Sequence, residues 1–186
     1  MRIIGGKFKR KKLIIPIDKK TRPLKDLVKE SIFNLIQHSN KFNVKIENSR
    51  ILDLFSGSGS FGLECFSRGA KKVIFVENYT DALKILKKNL SSINAGKNCK
   101  IIDRDCFNLL SIGNPSLKNF KLIFIDPPYK EKKINLIIES IKKNKILDKE
   151  GILILHRHKS DNVQIKSYLK ILETRTYGIS KIIIGN

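Results

Sequence analysis

The sequence has few of the residues that build disulfide frameworks, zinc sites or membrane spans. Its 186 residues include only three cysteines, whose number and spacing fit neither a disulfide framework nor a zinc site. We therefore expect Cys65, Cys99 and Cys106 to be reduced thiols, and we predict no metal site. No run approaches the roughly 18 apolar residues that cross a bilayer, and the first residues lack the apolar core of a secretion signal. These absences favour a cytoplasmic protein without a membrane partner.

Acidic residues are also scarce, because 17 Asp and Glu stand against 38 Lys and Arg and leave a formal net charge of +21. Such a charge favours an anionic partner. Because 30 of the basic residues are lysines, whose codons are rich in A and T, a biased genome is a competing explanation. Residues 1–25 hold ten basic residues against one acid, which is more than an even bias would give. We predict that this segment binds nucleic acid through Lys7, Lys9, Arg10, Lys11, Lys12 and Arg22.

From residue 50 onward, the sequence alternates short apolar segments with helical patterns. We expect strands at 51–55, 73–76, 99–102, 122–125 and 151–155, and helices at 60–67, 80–90, 106–110 and 132–143. This alternation predicts an α/β fold with a doubly wound, mostly parallel sheet. Two closing strands, near 170–173 and 181–184, have no clear helix between them and predict an antiparallel edge. We expect seven strands in a single domain spanning residues 1–186.

The first 40 residues precede this alternation. Two short apolar segments flank Gly5-Gly6 and a basic run, which predicts a β-hairpin or extended arm over residues 3–15. Residues 23–37 have helical spacing, with Pro23 in the first turn. We predict that residues 1–40 are a nucleic-acid-binding extension of the domain.

A glycine-rich turn, residues 53–59, joins the first expected strand to its helix. Its glycines allow a tight turn and a close approach of a ligand to the backbone. Gly57, Gly59 and Gly62 match G-x-G-x-x-G, and Glu77 lies 20 residues beyond Gly57, so an NAD-binding Rossmann enzyme is one interpretation. Asp53 favours another, because its carboxylate would repel a pyrophosphate but suits the sulfonium and ammonium charges of S-adenosylmethionine (AdoMet).

Further acids follow the next two strands. Glu77 is placed to accept hydrogen bonds from both ribose hydroxyls of such a ligand, and Asp105 could accept one from the adenine amino group. Both lie at carboxyl ends of parallel strands, which form the ligand-binding edge of these sheets. The predicted AdoMet site consists of Asp53, Phe55, Ser56, Gly57, Gly59, Glu77, Asp105 and Cys106.

The segment Asp126-Pro127-Pro128-Tyr129 follows the fourth expected strand. Its prolines stiffen the backbone, remove two N–H donors and leave a row of carbonyl acceptors beside the carboxylate. Accepting both hydrogens of an amino group on a base would hold its nitrogen toward the methyl group, which is catalysis by positioning. The tyrosine offers a face on which an extruded base can stack. We predict that all four residues act on the base.

The fifth strand ends in His156-Arg157-His158. A metal or general-base role is possible for such a triplet. We favour a polar, partly exposed strand end near the substrate, since methyl transfer needs no metal.

The segments 53–59 and 126–129 together resemble those of class I AdoMet-dependent amino-methyltransferases. The N-terminal segments 2–7, 21–23 and 26–34 are further similar to those of the bacterial family that methylates guanine N2 in 16S ribosomal RNA (rRNA). The resemblance covers nearly the whole chain. It implies a Rossmann-like methyltransferase fold, AdoMet as cofactor, and a monomer that acts on 16S rRNA, on the small ribosomal subunit or on its assembly intermediate.

At two positions the chain departs from this family's usual pattern. Leu24 stands where the family has Thr, and Lys29 stands where it has Arg. We expect these changes to leave the chemistry intact and to affect RNA contacts near that helix.

Other functions remain open at this level. An adenine-N6 methyltransferase of DNA or RNA would use the same motif geometry. A protein glutamine methyltransferase fits the chemistry, although the basic N-terminus argues against it. An NAD-dependent oxidoreductase and a non-catalytic RNA-binding assembly factor are alternatives from other classes.

Overall fold

The computed structural model describes residues 1–16, 24–162, 165 and 168–186. Arg22, predicted to bind RNA, and Pro23, predicted in the first helical turn, lie outside the described residues.

Within the described part of the chain, seven strands form one sheet in the order β3-β2-β1-β4-β5-β7-β6. They are β1 Arg50–Leu54, β2 Lys72–Glu77, β3 Cys99–Asp103, β4 Phe120–Ile125, β5 Leu147–His158, β6 Ile171–Tyr177 and β7 Ser180–Gly185. Strands β1 to β5 are parallel, and β7 runs antiparallel to both β5 and β6. The predicted sheet and its antiparallel edge are confirmed. The strand order reverses between β1 and β4, which is where open α/β sheets bind ligands.

Helices cover both faces of the sheet. They are α1 Asp26–His38, α2 Ser60–Ser67, α3 Thr80–Ser91, α4 Cys106–Ser111 and α5 Ile134–Lys143. Alternate residues of each central strand point to opposite faces, so Ile51 packs with α1 and α2 whereas Leu52 packs with α4 and α5. Both faces are therefore buried, which accounts for the near-continuous apolar sequences of the central strands. No described helix is long and apolar enough to cross a membrane.

Strand β5 extends beyond the predicted 151–155 at both ends. At its start Leu147 pairs with Phe120 across an irregularity in the β4–β5 register. At its end the polar residues 156–158 pair with β7. Periodicity within residues 151–155 does not reveal either extension, because both depend on partners distant in the sequence.

The N-terminal arm, residues 1–13, folds back on itself with a single antiparallel bridge between Arg2 and Lys12 rather than a full hairpin. Ile3 and Leu13 are buried in the core between α1, α2 and the sheet. Both carboxylate oxygens of Glu64 on α2 accept from the arm, with Ile4 N and Gly5 N each at 2.7 Å. The arm is thus part of the folded domain, and its basic side chains face solvent on a fixed backbone.

Candidate active site

A cavity of about 430 Å³ opens at the carboxyl ends of the strands, around the switch between β1 and β4. Nine of the twelve predicted catalytic and cofactor residues line it: Phe55, Ser56, Gly57, Glu77, Asp105, Asp126, Pro127, Pro128 and Tyr129. The other three, Asp53, Gly59 and Cys106, are buried and do not line it. The sequence motifs, dispersed over 77 positions from Asp53 to Tyr129, therefore converge in space.

A larger cavity of about 770 Å³ lies where β4 and β5 begin, against α5. It is lined by apolar residues such as Ile138 and Leu153 and by a rim of lysines and acids, and it contains none of the predicted site residues. Size alone would select this cavity. The chemistry selects the smaller one, which has carboxylates and a glycine-rich turn at the ligand-binding edge of the sheet.

The glycine-rich turn has a left-handed backbone at Phe55, Gly57 and Gly59, with φ of 56°, 55° and 79°. Glycine adopts this conformation readily, whereas for Phe55 it is an unfavourable one that the surroundings must maintain. Ser56 supplies part of that restraint, because its hydroxyl donates to Asp53 O at 2.7 Å and to Val76 O at 3.0 Å. The turn is fixed to the ends of β1 and β2, with its backbone exposed to the cavity.

Asp53 is the penultimate residue of β1 and is 1% exposed. Its Oδ2 accepts from the Gly62 amide at 2.9 Å, in the first turn of α2. Burial nevertheless raises the pKa of Asp53 well above its usual range, and the charges of Asp126 and Glu77 raise it further. Three acidic side chains, Asp53, Glu77 and Asp126, thus lie close together at this edge of the sheet, which favours a cationic ligand.

Glu77 organises the neighbouring wall of the cavity. Its Oε2 accepts from Gly57 N at 2.7 Å, and its Oε1 accepts from Asn78 N and Tyr79 N, each at 2.9 Å. The sequence predicted a contact with ribose, and the structure adds that Glu77 joins the glycine turn to the start of α3. Asp105 also has a structural contact, since its Oδ1 accepts from Asn108 N at 2.9 Å and caps α4.

Asp126 lies next to His156 across the β4–β5 pair. Ile125 is in register with Leu155, so the next residues, Asp126 and His156, lie side by side. His156 Nδ1 lies 2.8 Å from Asp126 Oδ1, and the two side chains are 2% and 15% exposed. The expectation of a partly exposed strand end is therefore wrong for His156, which is buried by its pairing with β7.

The same expectation is wrong for Arg157, a buried cation that points to the opposite face of β5. Its guanidinium forms an ion pair with Asp161 and donates to Pro128 O at 3.2 Å, Tyr129 O at 3.0 Å and Glu131 O at 2.8 Å. The prediction of a row of free carbonyls is therefore wrong for those of Pro128 and Tyr129. Both accept hydrogen bonds from Arg157, which fixes the loop after β4.

The Tyr129 ring is half-buried and lines the cavity. It packs edge-on against His158 and His156, with ring centroids 5.1 and 6.1 Å away. These contacts orient the ring that was predicted to stack on a base.

Leu24 and Lys29, the two departures from the family pattern, differ in their surroundings. Leu24 lines the cavity, although the sequence motifs did not predict it as a site residue. Lys29 is fully buried, and its Nζ donates to Arg2 O at 2.7 Å and lies 3.7 Å from Glu64 Oε2. Burial lowers the pKa of Lys29, against the opposing effect of Glu64. Lys29 thus holds the arm against α1, and an effect on RNA contacts near this helix stays a prediction.

A sheet of this order, with acidic strand ends around a glycine turn, is that of a class I AdoMet-dependent methyltransferase. The family model described as conserved hypothetical protein 95 matches residues 1–186. The ribosomal RNA small subunit methyltransferase D of Buchnera aphidicola subsp. Acyrthosiphon pisum is 33% identical over 92% of this chain and 93% of its own length. Its namesake from Haemophilus influenzae is 29% identical over 96% and 90%. The chain belongs to this family of rRNA methyltransferases.

Solved structures agree with this assignment. The Escherichia coli protein yhhF superposes with a TM-score of 0.82 and 25% identity, over 100% of this chain and 96% of its own. A Haemophilus influenzae protein superposes with a TM-score of 0.78 and 28% identity, over 99% and 96%. The predicted family, fold and cofactor are thereby confirmed.

The residues present suit AdoMet. Its sulfonium and ammonium groups would be attracted by the acidic side chains of Asp53, Glu77 and Asp126, and the Gly57 backbone permits close approach. Phe55 and Phe107, in edge-on contact with centroids 6.2 Å apart, add an aromatic wall for an adenine ring.

Proposed function

We propose that the protein transfers the methyl group of AdoMet to the exocyclic N2 of a guanine in the 16S rRNA of the small ribosomal subunit. The observation that carries the proposal is the set of acceptors left to the motif after β4. His156 engages Asp126 Oδ1, and Arg157 engages the carbonyls of Pro128 and Tyr129. Among the contacts of the described residues, Asp126 Oδ2 and the Pro127 carbonyl remain for a target amino group, two acceptors for two hydrogens.

Bound AdoMet supplies an electrophilic methyl group on a sulfonium sulfur. The N2 lone pair of guanine is delocalised into the ring, so the chain's contribution is to orient it. With both N–H groups bound to Asp126 and Pro127, the lone pair is directed out of their plane toward the methyl donor. The methyl group would pass from the sulfonium sulfur to N2, and the Asp126 carboxylate would hold the N2 hydrogen whose proton is lost in the transfer. The ring of Tyr129 stacks on the base.

The cofactor side follows from the same cavity. We assign the AdoMet contacts to the turn residues Phe55 to Gly57, to Glu77 and to Asp105. Asp53 and Cys106 are buried behind the cavity wall and support the site from there. Asp53 contributes charge and fixes the start of α2, and Gly59 contributes the turn.

The RNA side follows from the arm. The side chains of Lys7, Lys9, Arg10, Lys11 and Lys12 are exposed on a backbone that α2 fixes. Phosphate contacts of this kind position a substrate without reading its sequence. We propose that residues 1–40 form the RNA-binding extension of a single domain that acts as a monomer.

Adenine N6 is the second candidate acceptor, because its amino group also offers two hydrogens and would meet the same two acceptors. A transfer assay with labelled AdoMet separates the substrate classes. We expect label in 16S rRNA or small subunits and none in duplex DNA or in protein. Label that appears only in DNA, or only in protein, would overturn the proposal.

A further inference from the structure

A buried polar network lies beside the cavity at the end of β5. His156 and Arg157 are both buried, yet each directs its polar atoms at the segment after β4. Burying two such side chains is costly unless their hydrogen bonds are satisfied. Packing alone would be served by apolar residues, so this arrangement calls for a reason in the site itself.

We propose that His156 is a positioning residue for methyl transfer, which sets the rotation of the Asp126 carboxylate through the Nδ1–Oδ1 hydrogen bond. This role rests on the proposed function. An ionised carboxylate only accepts hydrogen bonds, so His156 Nδ1 is the donor. With Oδ1 fixed, Oδ2 is the oxygen that receives the target amino group, and the carboxylate cannot rotate freely about its terminal bond.

Rigid elements hold His156 itself in place. It pairs with Ile182 of β7 on one side and follows the β4–β5 register on the other, so its backbone lies inside the sheet. Its ring is in edge-on contact with Tyr129. Arg157 acts on the same segment from the opposite face, by holding the carbonyls of Pro128, Tyr129 and Glu131. The carboxylate and the ring of the motif are thus both oriented from β5.

Two substitutions distinguish positioning from mere packing. In His156→Asn the amide nitrogen takes the place of Nδ1 and can still donate to Asp126. In His156→Gln the amide nitrogen takes the place of the other ring nitrogen, so the donor to Oδ1 is lost at similar size and polarity. We expect His156→Asn to keep kcat within about fivefold of wild type, and His156→Gln to lose roughly a hundredfold, the loss typical of a misplacement of about 1 Å.

The effect should appear in kcat and not in binding. We expect both variants to bind AdoMet and 16S rRNA within about threefold of wild type, because His156 does not line the cavity. The exposed His38→Gln is the matched control and should leave kcat unchanged. Nitrogen NMR of the imidazole gives a readout that does not depend on turnover. We expect Nδ1 to carry a proton in the wild type and its signal to change in Asp126→Ala.

The outcomes separate this role from the proposed function. Equal kcat values for His156→Asn and His156→Gln, in an active wild type, would overturn the role and leave the function standing. The same holds if Nδ1 carries no proton. A wild type that methylates no base of 16S rRNA would overturn the function and this role with it.

Discussion

At the scale of single residues, the site contains side chains that lower the stability of the folded protein. Asp53 shows this most clearly, because its carboxyl is buried beside two other acids and its only hydrogen bond among the described contacts comes from Gly62. A raised pKa in the folded state means that ionised Asp53 destabilises the fold at neutral pH. Its contribution is favourable below the unfolded pKa and is lost as pH rises through the folded value.

We therefore predict opposite effects of Asp53→Asn on stability and on cofactor binding. The amide oxygen can still accept from Gly62, while the buried charge disappears, so the melting temperature without cofactor should rise by a few degrees at pH 7. AdoMet should bind about tenfold or more weakly, the loss of a charge-assisted interaction. Differential scanning calorimetry and titration calorimetry measure the two effects.

The exposed Asp81→Asn is the control, and it should change neither quantity appreciably. If Asp53→Asn lowered the melting temperature and left AdoMet affinity intact, Asp53 would be a purely structural residue.

At the scale of elements, the sequence predicts those features that follow from local hydrophobic patterns and from the rule that ligands bind at the ends of parallel strands. The strands β1 to β4 were evident as apolar runs, and Glu77, Asp105 and Asp126 were found because they follow such runs. The burial of His156 was not evident, since it depends on a register with β7 that a polar triplet does not reveal. The left-handed backbone conformation of Phe55 was not predicted either, because no local pattern marks a non-glycine residue with positive φ.

The attachment of the arm to α2 is a second feature that only long-range contacts reveal. Glu64 is fully buried and receives four partners: the amides of Ile4 and Gly5, the guanidinium of Arg68, and the Lys29 ammonium at 3.7 Å. We predict that Glu64→Ala leaves the amides of Ile4 and Gly5 without this acceptor and the buried Lys29 ammonium with only Asp26, 3.8 Å away, as a carboxylate partner. The free energy of unfolding should fall by about 3–5 kcal/mol, as measured by urea denaturation.

The exposed Glu30→Ala on α1 is the matched control and should change this free energy by less than about 0.5 kcal/mol. A loss below about 1 kcal/mol for Glu64→Ala would show that the arm is held by its apolar residues Ile3 and Leu13 instead. The experiment thus separates the polar attachment of the arm from its hydrophobic packing.

At the scale of the whole molecule, the question is whether the net charge of +21 is uniform background or a surface directed at RNA. Replacing all five exposed arm residues, Lys7, Lys9, Arg10, Lys11 and Lys12, by Gln tests this directly. RNA binding should weaken, and its dependence on salt should flatten by roughly 0.7 to 0.9 per lost phosphate contact. AdoMet affinity should hardly change, because none of the five lines the cavity.

A variant of equal charge loss provides the control, in which five exposed helical lysines are replaced by Gln: Lys84, Lys87, Lys88, Lys142 and Lys143. If both variants lost the same affinity and the same salt dependence, the arm would have no special role. The basic composition would then explain the charge without a dedicated surface.

The central claim is that the cavity around Asp126 methylates guanine N2 in 16S rRNA. The most direct measurement is mass mapping of methylated nucleosides after small subunits or 16S rRNA are incubated with the protein and methyl-labelled AdoMet. The account predicts labelled N2-methylguanosine at a defined position, and its loss by orders of magnitude in Asp126→Ala with AdoMet affinity retained. Labelled N6-methyladenosine, or undiminished N2-methylguanosine with Asp126→Ala, would contradict it.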